Sequence, residues 1–587
     1  MTDDDLLQKT MHEMSKVWED ILKTLDGRRL ELLSDGMSES MERLTDFGLI
    51  AQAVMQEPEI LVEMQQNYWN DLLGLWTSQM QHALDGTMMP IGDKRFKADE
   101  WMSSPFFNAV SQHYLLYQQH IQSLLEHLDF GDPKVAKRVR FFTKQYLEAI
   151  SPDNFIQSNP QLMAETLQSH GKNLLLGLQN LLKDFDAGSS RLVISMTDKN
   201  AFKVGENIAI TPGKVVYRNE MIELIQYTPT TAKVKSMPLL MIPPWINKYY
   251  ILDLSPNNSM VRWLVAQGIT VFMISWVNPD GRYANRGLED YMEQGAIAAI
   301  RAIQTQMQVK QVNALGFCIG GTLLAMLLAY FKAKHDDSVH SATFLASLID
   351  FSDPGDISVF IDEQQISKIE RHMKKKGYLE GQYMASAFNS LRSSDLIWAF
   401  FIRNYLHGKP PVPFDLLFWN GDSTNMPAKM HSEYLRSMYL NNDLIKPGSM
   451  VMNQVPIDIA HIDLPVFFVS TQKDHIAPWK TTYTGFQMMQ GAKRFILGGS
   501  GHIAGIVIPP GTEKYGYHVN LNAAESPEAW LAQSKYKTGS WWPEWLAWLK
   551  KHSGRMVVSP DVTTMRLKPL MDAPGSYVLK GSNDSES

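Results

Sequence analysis

The chain has 587 residues and a single cysteine, Cys318, which excludes an intrachain disulfide, a zinc ribbon and a cysteine-ligated iron–sulfur cluster. Its 55 Lys and Arg residues against 62 Asp and Glu give a net charge of −7, so the chain lacks the positive field of a basic nucleic-acid binder. The hydrophobic content of 44% and the charged content of 20% are those of a folded soluble protein.

The amino terminus lacks the features of a secretory signal. Residues 1–6 include three aspartates, whereas a signal needs a basic start and an apolar core, so we expect a cytoplasmic protein. One uncharged stretch, residues 311–331, is long enough to cross a bilayer. Its asparagine, glycines and threonine instead predict a strand, a sharp turn and a buried helix, and we expect no transmembrane span.

Residues 1–190 are predicted to form a helical N-terminal domain. Apolar residues recur at three- and four-residue spacing from Leu6 to Leu25, after Pro58, after Pro133 and again over residues 167–185. Prolines suit the first turn of a helix. The stripes are rich in Met and Trp, so they indicate either a helical core or a surface for a partner, a second subunit or an apolar particle. Residues 186–190 are predicted to be a linker.

Residues 191–587 are predicted to form an α/β domain with an inserted cap. Short apolar runs, typical of buried parallel strands, alternate with helical stretches, which favours an open and mostly parallel sheet. The predicted strands are residues 237–242, 269–276, 312–317, 342–349, 464–470 and 494–497, and the helices between them include residues 259–266, 289–306 and 322–334. Residues 351–450, with predicted helices at 362–375 and 383–404, interrupt this alternation and are predicted to form a cap. Ligands of such sheets bind beyond the carboxyl ends of the strands.

The strongest local signal is the sequence Gly316-Phe-Cys-Ile-Gly-Gly321, which follows a predicted strand and opens a predicted helix. This is the pattern of a nucleophile elbow, with cysteine in the place of serine. Glycines on both sides avoid clashes in the sharp turn, and the free N–H groups of the helix start favour a thiolate and an oxyanion. The alternative is a buried structural cysteine in a glycine-rich turn.

A nucleophile of this kind needs a base and a carboxylate that orients the base. Asp474 follows one predicted strand and His502 follows the next, in the chain order that such folds use. We assign the attack to Cys318, the proton transfer to His502 and the fixing of its tautomer to Asp474. Asp350 is an alternative acid, and His475 is a poor partner for the adjacent Asp474.

The loop at residues 243–248 is a candidate for the second half of an oxyanion hole. We expect the N–H of Ile319 to act with an N–H at Ile246 or Asn247, although the loop could be a plain turn. Exchange of one thioester for another is nearly neutral in energy, so an elbow cysteine suits acyl transfer from a thioester of coenzyme A (CoA). The residues by themselves indicate a cysteine-dependent acyltransferase or hydrolase.

Over nearly its whole length the chain resembles the class I polyhydroxyalkanoate synthases, which act without a second catalytic subunit. The segments that carry the resemblance are Pro243-Pro-Trp-Ile-Asn-Lys-Tyr-Tyr-Ile-Leu-Asp253, Thr270-Val-Phe-Met-Ile-Ser-Trp276, Gly316-Phe-Cys-Ile-Gly-Gly321, Phe414-Asp-Leu-Leu-Phe-Trp-Asn420, Asp474-His-Ile-Ala-Pro-Trp479, Ser500-Gly-His-Ile-Ala-Gly505 and Trp541-Trp-Pro543. The resemblance implies an α/β-hydrolase-like core with a mobile cap. It also implies that (R)-3-hydroxyacyl-CoA units, such as 3-hydroxybutyryl-CoA, are joined into a polyester on Cys318 with release of CoA.

The same resemblance implies further roles. Arg392 and Asn442 would lie in the cap and assist the entry of substrate or CoA, or else be solvated helix residues. Trp419 would lie near the site, at a dimer contact or in the core. The N-terminal domain would support a homodimer and association with polyester granules and granule-associated proteins in the cytoplasm. No cofactor and no metal are expected; the alternatives are a thioesterase or esterase with the same triad, and a granule scaffold without activity.

Overall fold

A computed structural model describes residues 46–186, 191–562 and 564–581, together with Lys9, His12, Glu13 and Lys16. The chain divides into two compact units. The first contains Met1–Asp198 and Arg392–Val412, and the second contains Lys199–Leu391 and Pro413–Ser587. The predicted helix between Leu6 and Leu25 lies outside the continuously described residues, as does the predicted linker after residue 186.

The first unit is helical, and prolines begin most of its helices because they occupy a turn whose N–H groups have no intrahelical partner. Residues 46–56 are also helical. The helices are Pro58–Leu84, Asp99–Ser103, Pro105–His127, Pro133–Ala149, Pro160–Gln168 and Lys172–Asp184. The prediction of one apolar helix over residues 167–185 was wrong, because His170 and Gly171 adopt positive φ angles of 50° and 77° and end it.

Residues 392–412 belong to the first unit, whereas the sequence placed them in the cap. They are helical between Ser394 and Leu406. The Tyr405 hydroxyl donates to Asp184 at 2.7 Å. Gly177 allows the close approach of this segment, since a Cβ at that position would lie 1.8 Å from the Tyr405 carbonyl oxygen. The predicted helix at 383–404 is therefore divided, and its first part forms the helix Gly381–Ser390 of the second unit.

The second unit is built on an eleven-stranded sheet. In chain order its strands are β1 (Gly213–Arg218), β2 (Ile222–Tyr227), β3 (Leu239–Ile242), β4 (Val271–Trp276), β5 (Val312–Phe317), β6 (Val339–Leu345), β7 (Val466–Thr471), β8 (Lys493–Gly498), β9 (Gly516–Asn520), β10 (Lys535–Thr538) and β11 (Met571–Asp572). The spatial order is β10-β9-β8-β7-β6-β5-β3-β4-β2-β1-β11.

The six strands predicted from apolar runs, β3 to β8, form the parallel centre of this sheet. The remaining five strands pair antiparallel at the two edges, and the sequence did not reveal them. The predicted fold class, an α/β-hydrolase-like and mostly parallel sheet preceded by helices, is confirmed. Because neighbouring parallel strands end at one edge, the loops after β5, β7 and β8 meet there.

Helices flank the sheet, and Ile319–Ala333 is the most buried of them. The others are Met260–Ala266, Leu288–Asp290, Ala298–Met307, Glu363–Lys376, Gly381–Ser390, Asp415–Gly421, Ala428–Tyr434, Trp479–Met488, Pro527–Ala532 and Trp542–Lys551, with π-helical turns at Tyr291–Ile297 and Leu435–Leu440. None of the helices in the described part of the chain combines the length and the apolar character that a membrane span requires.

One edge of the sheet is completed by residues far apart in sequence. The side chain of Glu223 in β2 is fully buried. Its carboxylate accepts hydrogen bonds from the N–H and hydroxyl of Ser576 at 2.8 and 2.7 Å, and from the N–H of Tyr577 at 3.0 Å. The Arg218 guanidinium also contacts it. These donors offset the desolvation of the carboxylate and attach β11 beside β1.

Candidate active site

Cys318 occupies the turn between β5 and the helix Ile319–Ala333. Its backbone has φ 53° and ψ −124°, a sparsely populated conformation for a residue with a side chain. Hydrogen bonds hold this turn: the Cys318 N–H donates to the Leu345 carbonyl at 2.9 Å, and the Cys318 carbonyl accepts from Gly321 N–H at 2.9 Å and Thr322 N–H at 3.2 Å. The surrounding structure thus keeps the thiol at the sheet edge.

Three glycines make this turn possible. A Cβ on Gly316 would lie 2.4 Å from the Gly321 Cα, and one on Gly320 would lie 2.2 Å from the Ile242 carbonyl oxygen. A Cβ on Gly321 would lie 1.9 Å from the Ser347 hydroxyl. These separations are far below van der Waals contact, so a side chain at any of the three positions would clash. The Gly-x-Cys-x-Gly-Gly pattern is therefore required by the close packing of strand, turn and helix.

His502 and Asp474 come together at the same edge. The His502 Nδ1 lies 2.8 Å from the Asp474 Oδ2, and both side chains are buried. The other carboxylate oxygen of Asp474 accepts the N–H groups of Ile476 and Ala477 at 2.9 and 2.8 Å. This carboxylate is therefore fixed in orientation, and it holds a proton on Nδ1 so that Nε2 remains for a second partner.

That second partner is the Cys318 thiol, which interacts with the His502 imidazole. The Phe317 ring stacks on the imidazole at a centroid distance of 5.7 Å. Burial by itself would lower the pKa of His502, but the charge of Asp474 and the interaction with Cys318 outweigh burial and raise this pKa well above its ordinary value. A raised pKa makes the His502 imidazole a good acceptor for the proton of a neighbouring thiol.

The alternative acid, Asp350, has other partners. Its carboxylate accepts the Ser352 N–H and hydroxyl, both at 2.9 Å, and the Asn442 amide at 2.8 Å. The Asn442 side-chain oxygen in turn accepts the Phe351 N–H at 2.9 Å. Among the described hydrogen bonds, none joins Asp350 to His502. Asn442, predicted to assist substrate entry, orients the chain after β6 in this structure.

The oxyanion candidates carry free N–H groups. Ile319 is the first helical residue, so its N–H has no intrahelical partner. In the described residues, the backbone N–H groups of Ile246 and Asn247 also lack hydrogen-bond partners. Gly320 packs against the carbonyl of Pro243 at the start of their loop, which brings the loop beside the elbow.

The two other predicted cap residues lie in different places. Arg392 belongs to the first unit, where its half-exposed side chain pairs with Asp395. Trp419 is buried, and its indole N–H donates to the Lys248 carbonyl at 2.7 Å. Trp419 therefore contacts the candidate oxyanion loop, whereas Arg392 pairs within the helical unit.

Two groups of aromatic residues at the site were missed by sequence reasoning. Tyr434 is buried and Tyr439 is partly buried, and their rings pack edge to face at a centroid distance of 5.4 Å in the neighbourhood of Cys318. Burial raises the pKa of both phenols, so both keep their protons. Trp541 and Trp542 donate their indole N–H groups to the Gly505 and Ile506 carbonyls, each at 2.9 Å, and so hold the loop that carries His502. The Trp541-Trp542 pair was visible in the sequence, but its partners were not.

Comparison with known proteins relates the chain to one family over most of its length. A family profile for the N-terminus of poly-beta-hydroxybutyrate polymerase (PhaC) matches residues 92–264, and a profile for the α/β hydrolase fold matches residues 238–507. A poly(3-hydroxyalkanoate) polymerase of Methylorubrum extorquens is 43% identical over 549 residues, covering 92% of this chain and 91% of that relative.

A second relative and a solved structure complete the comparison. The poly(3-hydroxyalkanoate) polymerase subunit PhaC of Cupriavidus necator is 40% identical over 538 residues, covering 90% of each chain. Among solved structures, an esterase from Exiguobacterium antarcticum is 11% identical with a TM-score of 0.27, over 47% of this chain and 87% of the other.

Proposed function

Because the chain belongs to the poly(3-hydroxyalkanoate) polymerase family, and is thus an acyltransferase, we propose that it polymerises (R)-3-hydroxyacyl-CoA units through a thioester on Cys318. The observation that carries this proposal is the arrangement of Cys318, His502 and Asp474 at one sheet edge. A thiol beside a buried imidazole, which is itself held by a carboxylate, is an activated nucleophile.

The first half-reaction loads the enzyme. His502 Nε2 takes the proton of the Cys318 thiol, and the thiolate attacks the thioester carbonyl carbon of the substrate. The carbonyl oxygen becomes an oxyanion, which the N–H of Ile319 and an N–H of Ile246 or Asn247 stabilise. Collapse breaks the bond to the CoA sulfur, and the imidazolium returns the proton to the departing CoA thiolate. Cys318 then carries the acyl group.

The second half-reaction extends the chain. The 3-hydroxyl group of another hydroxyacyl unit gives its proton to His502, and its oxygen attacks the acyl carbon on Cys318. An ester bond forms, the carbon–sulfur bond breaks, and the Cys318 thiolate regains the proton. Each addition therefore converts one thioester into one ester and releases one CoA.

We also propose a homodimer that associates with the polyester granule through the first unit. The helix Pro58–Leu84 supports this proposal, because side chains spaced by four and three residues leave an apolar row exposed on one face. This row consists of Trp69, Leu73, Trp76 and Met80, whose exposed fractions range from 44% to 70%. Met and Trp side chains adapt well to irregular apolar surfaces.

Product analysis tests the proposal directly. The purified chain is incubated with (R)-3-hydroxybutyryl-CoA, and loss of the thioester absorbance, free CoA and polymer are followed together. We expect CoA release to match ester formation. Release of CoA with only free hydroxy acid would identify a thioesterase. Cys318→Ala, the matched control, should lose essentially all turnover; unchanged activity in this variant would refute the covalent mechanism.

A further inference from the structure

The candidate oxyanion loop is crossed by a second segment of the unit, residues 419–424, which we call the clamp segment. Asn247 and Ser423 form an antiparallel bridge between the two. The Thr424 N–H donates to the Ile246 carbonyl at 3.0 Å, and the Thr424 hydroxyl donates to the Trp245 carbonyl. The clamp segment thus contacts the loop at consecutive peptides.

Three further contacts hold the two segments together. The Trp419 indole N–H donates to the Lys248 carbonyl at 2.7 Å. The Lys248 ammonium pairs with Asp422 at 2.7 Å, and its side chain is only 7% exposed. Asp422 also accepts the Tyr250 hydroxyl at 2.8 Å. A buried pair that is satisfied in this way resists displacement, because removal of one partner leaves a desolvated charge.

These contacts determine where the N–H groups of the loop point. In a trans peptide the C=O and the N–H point in opposite directions. The carbonyls of Trp245 and Ile246 face Thr424, so the N–H groups of the same two peptides, which belong to Ile246 and Asn247, face away from the clamp segment. Within the described residues neither N–H has another partner.

We propose that the clamp segment positions the oxyanion hole, with Thr424 as the central positioning residue. Thr424 contacts no reacting atom; it holds two carbonyls so that the opposite N–H groups stay aimed at the developing oxyanion. This inference rests on the proposed function, since it assigns a role within the same acyl transfer. It also gives Trp419, in the Phe414-to-Asn420 sequence, a role beyond packing, because its indole N–H holds the Lys248 carbonyl.

The test compares Thr424→Val, which keeps the shape but loses the hydroxyl, with Thr424→Ser, which keeps the hydroxyl. Removal of one oxyanion donor costs about 10²- to 10³-fold in kcat, so misdirection of these donors in Thr424→Val should lower kcat by about 10- to 100-fold. Thr424→Ser should recover to within about threefold of the original chain. KM should change little, because the hole acts on the transition state.

Alkylation of Cys318 by iodoacetamide separates this role from a general structural one. Alkylation needs the thiolate but forms no oxyanion, so its rate should be the same in Thr424→Val as in the original chain. A fall in alkylation that parallels the fall in kcat would overturn the inference, because the triad itself would then be disturbed. An unchanged kcat in Thr424→Val would also overturn it.

A second variant covers the case in which Thr424→Val fails to fold. Trp419→Phe keeps an aromatic ring but removes the N–H donor to the Lys248 carbonyl. It should show the same combination of reduced kcat and normal alkylation, and a normal kcat would refute the inference. A separate outcome refutes the proposed function: the original chain releases CoA but forms no polymer. In that case the rates of CoA release by Thr424→Val and Thr424→Ser still test the role of the clamp segment.

Discussion

Replacement of Asp474 by asparagine should keep the shape of the side chain but prevent His502 from acting as a base. In the structure one carboxylate oxygen accepts the N–H groups of Ile476 and Ala477, and the other faces His502 Nδ1 at 2.8 Å. Only the amide oxygen of an asparagine can accept the two backbone N–H groups. Its NH₂ group must therefore face the imidazole.

The consequence for His502 is a change of tautomer. Two donors cannot face each other, so Nδ1 becomes an acceptor and the imidazole proton moves to Nε2, which then cannot take the Cys318 proton. Loss of a hydrogen bond to a charged group costs about 1.5–3 kcal/mol, or about 10- to 10²-fold. A wrong tautomer costs about 10⁴-fold in a serine triad. We expect kcat/KM for CoA release to fall by about 10²- to 10⁴-fold.

The matched control is Asp350→Asn. Asp350 is bonded to Ser352 and Asn442 and not to His502, so the loss in this variant should stay below about tenfold. Initial rates are measured from the loss of thioester absorbance, because thiol reagents would also modify Cys318. Urea unfolding verifies that both variants are folded. Equal losses in the two variants, or a larger loss in Asp350→Asn, would refute the assignment of Asp474.

Two further predictions concern the elbow and the base. Gly320→Ala places a Cβ 2.2 Å from the Ile242 carbonyl oxygen, which should lower the free energy of unfolding in urea by about 1–3 kcal/mol and abolish most turnover. The control is Gly74→Ala, where nothing lies within 4 Å of the added Cβ, so this variant should be neutral or stabilised by up to about 1 kcal/mol. Equal losses of stability in the two variants would contradict the packing argument. Because the pKa of His502 is raised in the folded chain, protonated His502 stabilises the fold fully below its unfolded value near 6.5, and this contribution is lost as pH rises through the folded pKa. The difference in unfolding free energy between the original chain and His502→Gln should therefore be largest below pH 6.5 and shrink above it; a difference that grows with pH would contradict the assigned direction.

The meeting of Cys318, Asp474 and His502 at one sheet edge was predictable from sequence because each residue lies in a local pattern. A buried strand followed by Gly-x-Cys-x-Gly-Gly has few other structural meanings, and strands that precede Asp474 and His502 bring both to one edge. The parallel strands were predictable for the same reason, since burial on both faces leaves near-continuous apolar runs.

The rest depends on contacts between distant residues. Strand β2 carries Glu223 and Gln226 in fully buried positions, so its sequence does not read as a core strand. Only partners such as Ser576 make the burial of Glu223 possible. Likewise, residues 392–412 lie between cap sequences, and only Gly177 and Asp184 explain why they join the helical unit. Such complementarity between residues hundreds of positions apart leaves no periodic signal.

The attachment of β11 next to β1 has a consequence for synthesis of the chain. Glu223 and Ser576 are separated by 353 residues, so the carboxylate emerges from the ribosome long before its donors. During that interval, burial of Glu223 would leave its carboxylate short of donors, and strand β1 would expose an open edge that can pair with other chains. The nascent second unit cannot close its sheet until residue 577 has emerged. Its final folding step therefore waits for this segment, and a chain stalled earlier would keep the edge of strand β1 exposed.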